Sequence, residues 1–225
     1  MKSLNKYVLQ SKTISSIDDY ILEKIKDLPT NVKGLVVFDI DDTLLQCDPD
    51  SIHVYKKDPN TGKETALTTA EFAVDPDAHN HKDWFDYREF NDDEKVYQSI
   101  INGTPMLKNL KLMDAYIRAG YKFCFLTARG CEDTIKSALK EFLRYKDDNG
   151  NLRELENIFK EKYSHAINDQ YKKYPGKTDA EKKANVLKEL CGQFDRVIFV
   201  DDDAKNLQMA RGLDMKNLKV LQAWK

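Results

Sequence analysis

Two acidic runs dominate the chemistry legible in this chain: Asp39-Ile40-Asp41-Asp42-Thr43 and Asp201-Asp202-Asp203. Each directly follows an apolar stretch, LVVF in the first case and VIFV in the second. Carboxylates gathered at the end of a buried strand repel one another and lose hydration, so they need positive charge among them. A hard divalent cation meets that need. Mg²⁺ takes a few carboxylates, keeps water in its shell and shares that shell with phosphate. A third apolar stretch, FCFL, runs into Thr127-Ala128-Arg129-Gly130. A hydroxyl and free backbone N–H groups at the start of a helix bind anions.

Lys183 adds a cation. The spacing predicts a helix over 178–190 whose inward stripe is Ala180, Ala184, Leu187 and Cys191. Lys183 lies three after Ala180 and four before Leu187, so it points inward with them, whereas Lys182 points to solvent. An inward ammonium beside acids would neutralise them and hold a phosphate oxygen. Lys177, just before the predicted helix cap, is the rival for that role.

The elements that must position these groups follow from periodicity. Residues 35–38, 122–126 and 196–200 read as buried parallel strands, apolar on both faces. Helices are predicted over 16–26, over a segment opened by Thr104 and Pro105 and closed by Gly120, and over 132–145. Further helices are predicted over 178–190, stopped by Gly192, and over 203–211, with a short strand at 163–167 and a last one in LKVLQAW. Strand and helix alternate, which predicts an α/β fold wound around parallel strands, with ligands bound beyond the strands' carboxyl ends. Residues 46–103 differ: they are polar, IHVY and ETAL flank the turn DPNTG as a hairpin would, and the aromatic run WFDYREF follows. His79-Asn80-His81, near Asp75, Asp77 and Asp83, reads as a solvated loop more readily than as a second metal site.

Asp39-x-Asp41-x-Thr43, Thr127, Lys183 and Asp201-Asp202 with Asn206, in this order and each at its strand or helix, resemble the four signatures of the haloacid-dehalogenase-like (HAD) hydrolase superfamily. The resemblance covers most of residues 33–225. It implies a three-layer Rossmann-like core built from 1–45 and 104–225, with 1–31 as an N-terminal helical extension and 46–103 as a small cap. It also implies a phosphatase. Asp39 would be the nucleophile that forms an aspartyl-phosphate, and Asp41 the general acid and then base. Asp39, the backbone carbonyl of Asp41 and Asp202 would hold Mg²⁺; Thr127 and Lys183 would bind the phosphoryl oxygens. Asp201 and Asn206 would orient the metal shell, with Thr43 in support, and Asp42 would be structural. An acid at 41 is the phosphatase pattern, since family dehalogenases lack it.

The 46–103 segment, with ALTTAEF, WFDYREF and the following NGTPML, is similar to phage-encoded HAD-like proteins related to the phosphatase half of polynucleotide kinase–phosphatases. That likeness implies a nucleotide or a nucleic-acid 3′-phosphate as substrate, with Trp84, Phe85, Tyr87 and Arg129 as contacts. A sugar or other small metabolite phosphate is the alternative. A non-catalytic HAD-like binding protein would be expected to have lost an acid or the lysine. A phosphoacceptor receiver domain would carry its phosphorylated Asp in mid-chain, after a separate acid pair.

Composition sets the outer limits. The 225 residues suffice for one domain with an appendage, and a net charge of −2 excludes a global basic surface as the means of holding phosphate. Cys47, Cys124, Cys131 and Cys191 show no zinc-like spacing, and with no apolar run of membrane-spanning length the expected setting is a reducing cytoplasm, that of a host if the protein is phage-encoded.

Overall fold

The computed structural model describes residues 32–224 other than 79, 144, 147–151 and 154–163, with the backbone alone at 82, 145, 146, 152 and 153. The expected helix over 16–26 and the extension over 1–31 lie outside the described residues.

In chain order the elements are β1 (Gly34–Phe38), β2 (Leu45–Gln46), β3 (His53–Lys57), β4 (Glu64–Thr68), α1 (Thr69–Val74), β5 (Phe85–Asp86) and α2 (Asp93–Ile101). They continue with β6 (Thr104–Pro105), α3 (Leu107–Arg118), β7 (Lys122–Thr127), α4 (Glu132–Phe142), β8 (Tyr145–Lys146), β9 (Leu152–Arg153) and β10 (His165–Ala166). The last four are α5 (Asp179–Gln193), β11 (Arg196–Asp201), α6 (Ala204–Arg211) and β12 (Leu218–Gln222).

Five strands form one sheet in the order β10-β7-β1-β11-β12, and every pairing in it is parallel. Both faces are covered, which is why the strands read as unbroken apolar runs. Val36, Phe38, Phe123, Phe125, Ile198 and Val200 pack with α2, α3 and α4. Their pleat neighbours Leu35, Val37, Cys124, Leu126, Val197 and Phe199 pack with α5 and α6. The fold is α/β and Rossmann-like.

Counted within this sheet, the strand order is 3-2-1-4-5, so successive crossovers leave β1 first to one side and then to the other. The reversal falls between β1 and β11, the place where an open α/β sheet leaves a crevice for ligand. In the same pleat register, Asp39 extends the Leu35 and Val37 row, and Asp201 ends the Val197 and Phe199 row, both on the α5 side.

Several boundaries differ from the sequence reading. Thr104 and Pro105 do not open a helix: they pair antiparallel with Leu45 and Gln46, and α3 starts only after Met106, whose N–H bonds to Leu44 O at 2.9 Å. Proline's fixed φ suits this short strand as well as a helix start. Gly120, at φ 89, does follow the end of α3, as a left-handed glycine should. Gly192 does not stop α5, which runs to Gln193 because Phe194 next to it is drawn into the core.

The 46–103 segment is not one unit. Val54, Ala78 and Phe85 form a small cluster against the antiparallel sheet β4-β3-β5. Ile52 and the α2 residues Val96 and Ile100 instead join the main core. The DPNTG hairpin forms with His53 opposite Thr68 and Lys57 opposite Glu64. Asp75 and Asp77 are occupied by a side chain: Lys56 Nζ lies 2.8 Å from Asp75 Oδ2 and 2.8 Å from Asp77 Oδ2.

Candidate active site

Lys183, Asp39 and Asp201 form the centre. Asp39 N donates to Val200 O at 2.9 Å, which sets Asp39 beside β11 and next to Asp201. Lys183 arrives from α5 beneath them, and all three side chains are buried. Its Nζ donates to Asp201 Oδ2 at 2.8 Å and stands 3.0 Å from Asp39 Oδ1. The second contact is an ion pair outside hydrogen-bond geometry, so buried Asp39 Oδ1 has no hydrogen-bond donor among the described residues. Asp201 is saturated: Asn206 Nδ2 donates to its two oxygens at 3.2 and 3.0 Å, and Asp203 N donates to Oδ1 at 2.8 Å.

The electrostatics follow from this crowding. Burial pushes the Asp39 carboxyl well above its ordinary range; Lys183 opposes that rise, and the charges of Asp201 and Asp41 add to it. Burial weakens the hold of Lys183 on its proton, but Asp201 and Asp39 more than reverse the effect and keep it an ammonium. One ammonium thus serves both Asp39 and Asp201, and Asp39 Oδ1 is left without a hydrogen-bond donor among the described residues.

A divalent cation fits what remains. Ligand atoms of Asp39, Asp201 and Asp202 lie within 4.8 Å of one another. All are hard oxygens, and Asp39 supplies a buried oxygen lacking a donor, the donor set that Mg²⁺ takes. With Asp201 held by Lys183 and Asn206, Asp39 and half-buried Asp202 are the carboxylates placed to coordinate, and Asp201 anchors them.

Asp41 stands apart from that cluster. Arg129 forks onto it, Nε to Oδ2 at 2.9 Å and Nη2 to Oδ1 at 2.7 Å. Burial raises the Asp41 carboxyl, and the charge and hydrogen bonds of Arg129, with a bond from Cys47, outweigh it and leave it below the ordinary range. Arg129 is itself 1% exposed, too deep to be a surface contact for substrate.

Thr127 ends β7, level with the loop after β1 because Phe125 pairs with Phe38. Its buried hydroxyl accepts from Arg129 N at 3.3 Å, which leaves the O–H proton to be donated. Thr43 is fully buried, with its hydroxyl unpartnered among the described residues and its carbonyl accepting from Asn109 Nδ2 at 2.8 Å. Asp42 takes a left-handed φ of 52 where the loop turns, a local backbone role.

The other expected positions are dispersed. Lys177 is exposed and outside the centre. Lys182 does not face solvent: it is half-buried, and its Nζ donates to Asn168 Oδ1 at 2.5 Å. Phe85 is core of the small sheet, and half-buried Trp84 stacks on His81 at 4.0 Å. Tyr87 is 36% exposed and meets Phe72 and Phe90 edge-on at 5.7 and 6.3 Å.

Four residues were not anticipated. Asn168 Nδ2 donates to Ala128 O at 2.6 Å and to Asp179 Oδ1 at 3.2 Å, tying the Thr127 loop to the start of α5. Asn109 joins the Thr43 loop to the C-terminal segment, accepting from Trp224 N at 3.0 Å. Asn109 and Ser99 are fully buried polar residues on inward helix faces, the signal that singled out Lys183. Cys47, bonded to Asp41, carries no such periodic signal.

No family model matches the chain, and neither the curated proteins nor the solved structures contain a match to it.

Proposed function

We propose that the protein is a Mg²⁺-dependent phosphomonoesterase of the HAD type, acting through an aspartyl-phosphate on Asp39. The observation that carries this reading is the buried Lys183 ammonium shared by Asp39 and Asp201 at the sheet's switch point. A structural salt bridge needs one acid for its ammonium, whereas here two buried acids from neighbouring strands share it.

In the proposed reaction an Asp39 oxygen attacks phosphorus while the P–O bond to the leaving group breaks. The departing oxygen takes a proton from the Asp41 carboxyl, which must first be protonated against the pull of Arg129. Lys183 and the Thr127 hydroxyl stabilise the charge spread over the phosphoryl oxygens. Asp41, now ionised, accepts a proton from water, whose oxygen attacks phosphorus, releasing phosphate and restoring Asp39. Mg²⁺, held by Asp39, the Asp41 carbonyl and Asp202, would supply counter-charge for the phosphoryl group.

A nucleotide or nucleic-acid 3′-phosphate is the substrate class we propose, with the small sheet β4-β3-β5 of residues 46–103 supplying a small cap. Tyr87, exposed and held edge-on by Phe72 and Phe90, is the aromatic of that segment best placed to meet a base. The test is a panel of 3′-phosphorylated oligonucleotides, nucleoside monophosphates, sugar phosphates and p-nitrophenyl phosphate, each with Mg²⁺ and with EDTA. Turnover that persists in EDTA overturns the mechanism; preference for sugar phosphates moves the substrate class.

A further inference from the structure

Arg129, which grips Asp41 on one side, is held on the other by three residues of the segment that interrupts the main fold. Its Nη1 donates to Ser99 Oγ at 2.7 Å, and its Nη2 approaches Cys47 Sγ at 2.6 Å. Its Cζ lies 5.9 Å from the centre of the Phe90 ring. Cys47 is the first residue after β2, Phe90 precedes α2, and Ser99 sits within it. Ser99 is itself fixed, because its buried hydroxyl donates to Val96 O at 2.8 Å and has lone pairs left for Arg129. Cys47 Sγ also donates to Asp41 Oδ1 at 2.7 Å, so thiol, guanidinium and carboxylate close a triangle.

The orientation of Asp41 is therefore set from behind. A guanidinium is planar, and its two-point grip fixes a carboxylate in plane only while its other N–H groups are satisfied. Remove the Ser99 hydroxyl and Nη1 is left buried with no acceptor among the described residues, so the fork turns to find one.

We infer that Ser99 and Cys47 are positioning residues for Asp41, acting through Arg129, so that the 46–103 segment sets the proton donor as well as covering the site. This inference rests on the phosphatase reading. It also assigns Arg129 to the acid and not to the substrate.

The test separates proton donation from everything else. 2,4-Dinitrophenolate leaves without a proton, whereas the alkoxide of glycerol 2-phosphate needs one. Ser99→Ala and Cys47→Ala are expected to lower kcat on glycerol 2-phosphate by about tenfold or more, a part of what general acid catalysis contributes. On 2,4-dinitrophenyl phosphate both should stay within about twofold of the unsubstituted protein, with KM and the Mg²⁺ dependence unchanged. Cys47→Ser, whose hydroxyl can make both bonds, should restore the alkyl ester rate. Equal losses on the two esters, or no loss on either, overturn the inference while the phosphatase reading stands. If the unsubstituted protein hydrolyses neither these esters nor any member of the phosphate panel, the phosphatase reading falls and takes this inference with it. Should Ser99→Ala melt below the assay temperature, the half-buried Cys47 pair of variants decides the matter alone.

Discussion

Lys183 Nζ and Asp201 Oδ2 are 2.8 Å apart with both side chains fully buried, and the same ammonium stands 3.0 Å from Asp39 Oδ1. One cation thus joins α5 to the ends of two neighbouring strands, and removing it leaves acids buried without a counter-charge. Lys183→Ala should cost about 3–5 kcal/mol in stability. In folded protein it should also lose at least about a hundredfold in phosphatase turnover. Lys182→Ala, which among the described residues breaks a bond to Asn168, should stay within about tenfold. Urea unfolding and steady-state rates check both, and a larger loss at 182 would transfer the phosphate role to it.

Asp39 carries a second consequence of crowding. Its carboxyl is raised above the ordinary value of 3.8, so the unfolded chain ionises first as pH rises. The stability it contributes is fully present below that value and is lost as pH rises through the folded one. At neutral pH without metal, Asp39→Asn should therefore raise Tm, by about 2 °C or more, while abolishing turnover. Mg²⁺ should raise the Tm of the unsubstituted protein more than that of the variant. Thermal melts with and without Mg²⁺ decide it; a lower Tm for the variant would mean that the Lys183 pair outweighs the repulsion.

Asp201 and Asp202 should separate cleanly. Asp201→Asn disturbs the bonds from Lys183 and Asn206, so it should lower Tm even without metal. Asp202→Asn should raise the Mg²⁺ concentration needed for half-maximal rate by about tenfold. The reverse pattern would exchange the anchoring and coordinating roles.

Gly130 is where the Thr127 loop meets the 46–103 segment. Its N–H bonds to Phe90 O at 3.1 Å, and a Cβ there would lie 2.1 Å from Asn91 Oδ1. Gly130→Ala should be destabilising unless Asn91 swings away, and Asn91→Ala should recover much of the loss. A double-mutant cycle read by urea unfolding measures this coupling, with about 0.5–3 kcal/mol expected for residues in contact. Additive effects would show that the two segments are not pressed together at this point.

Much of this arrangement is local and therefore legible in one dimension. Apolar runs covered on both faces mark β1, β7 and β11, and the acids and Thr127 at their ends mark the sheet edge where a ligand belongs. Helical spacing places Lys183 inward, and the turn residues of DPNTG set the hairpin. Each depends on a period or a turn within a few residues, which the chain carries in its own order.

Tertiary structure decided what those groups do to one another. The 3-2-1-4-5 strand order alone sets Asp39 beside Asp201, 162 positions away in sequence. Arg129 sits in a short loop with no period to show which way it faces, and packing of α2 against the main core is what buries it on Asp41. Lys182 reads as solvent-facing from the helix wheel, yet Asn168, brought in by the β10 connection, covers it. A helix or strand period reports which side of an element is apolar. Which distant segment supplies the surface opposite, and which polar partner comes with it, is set only when the elements pack.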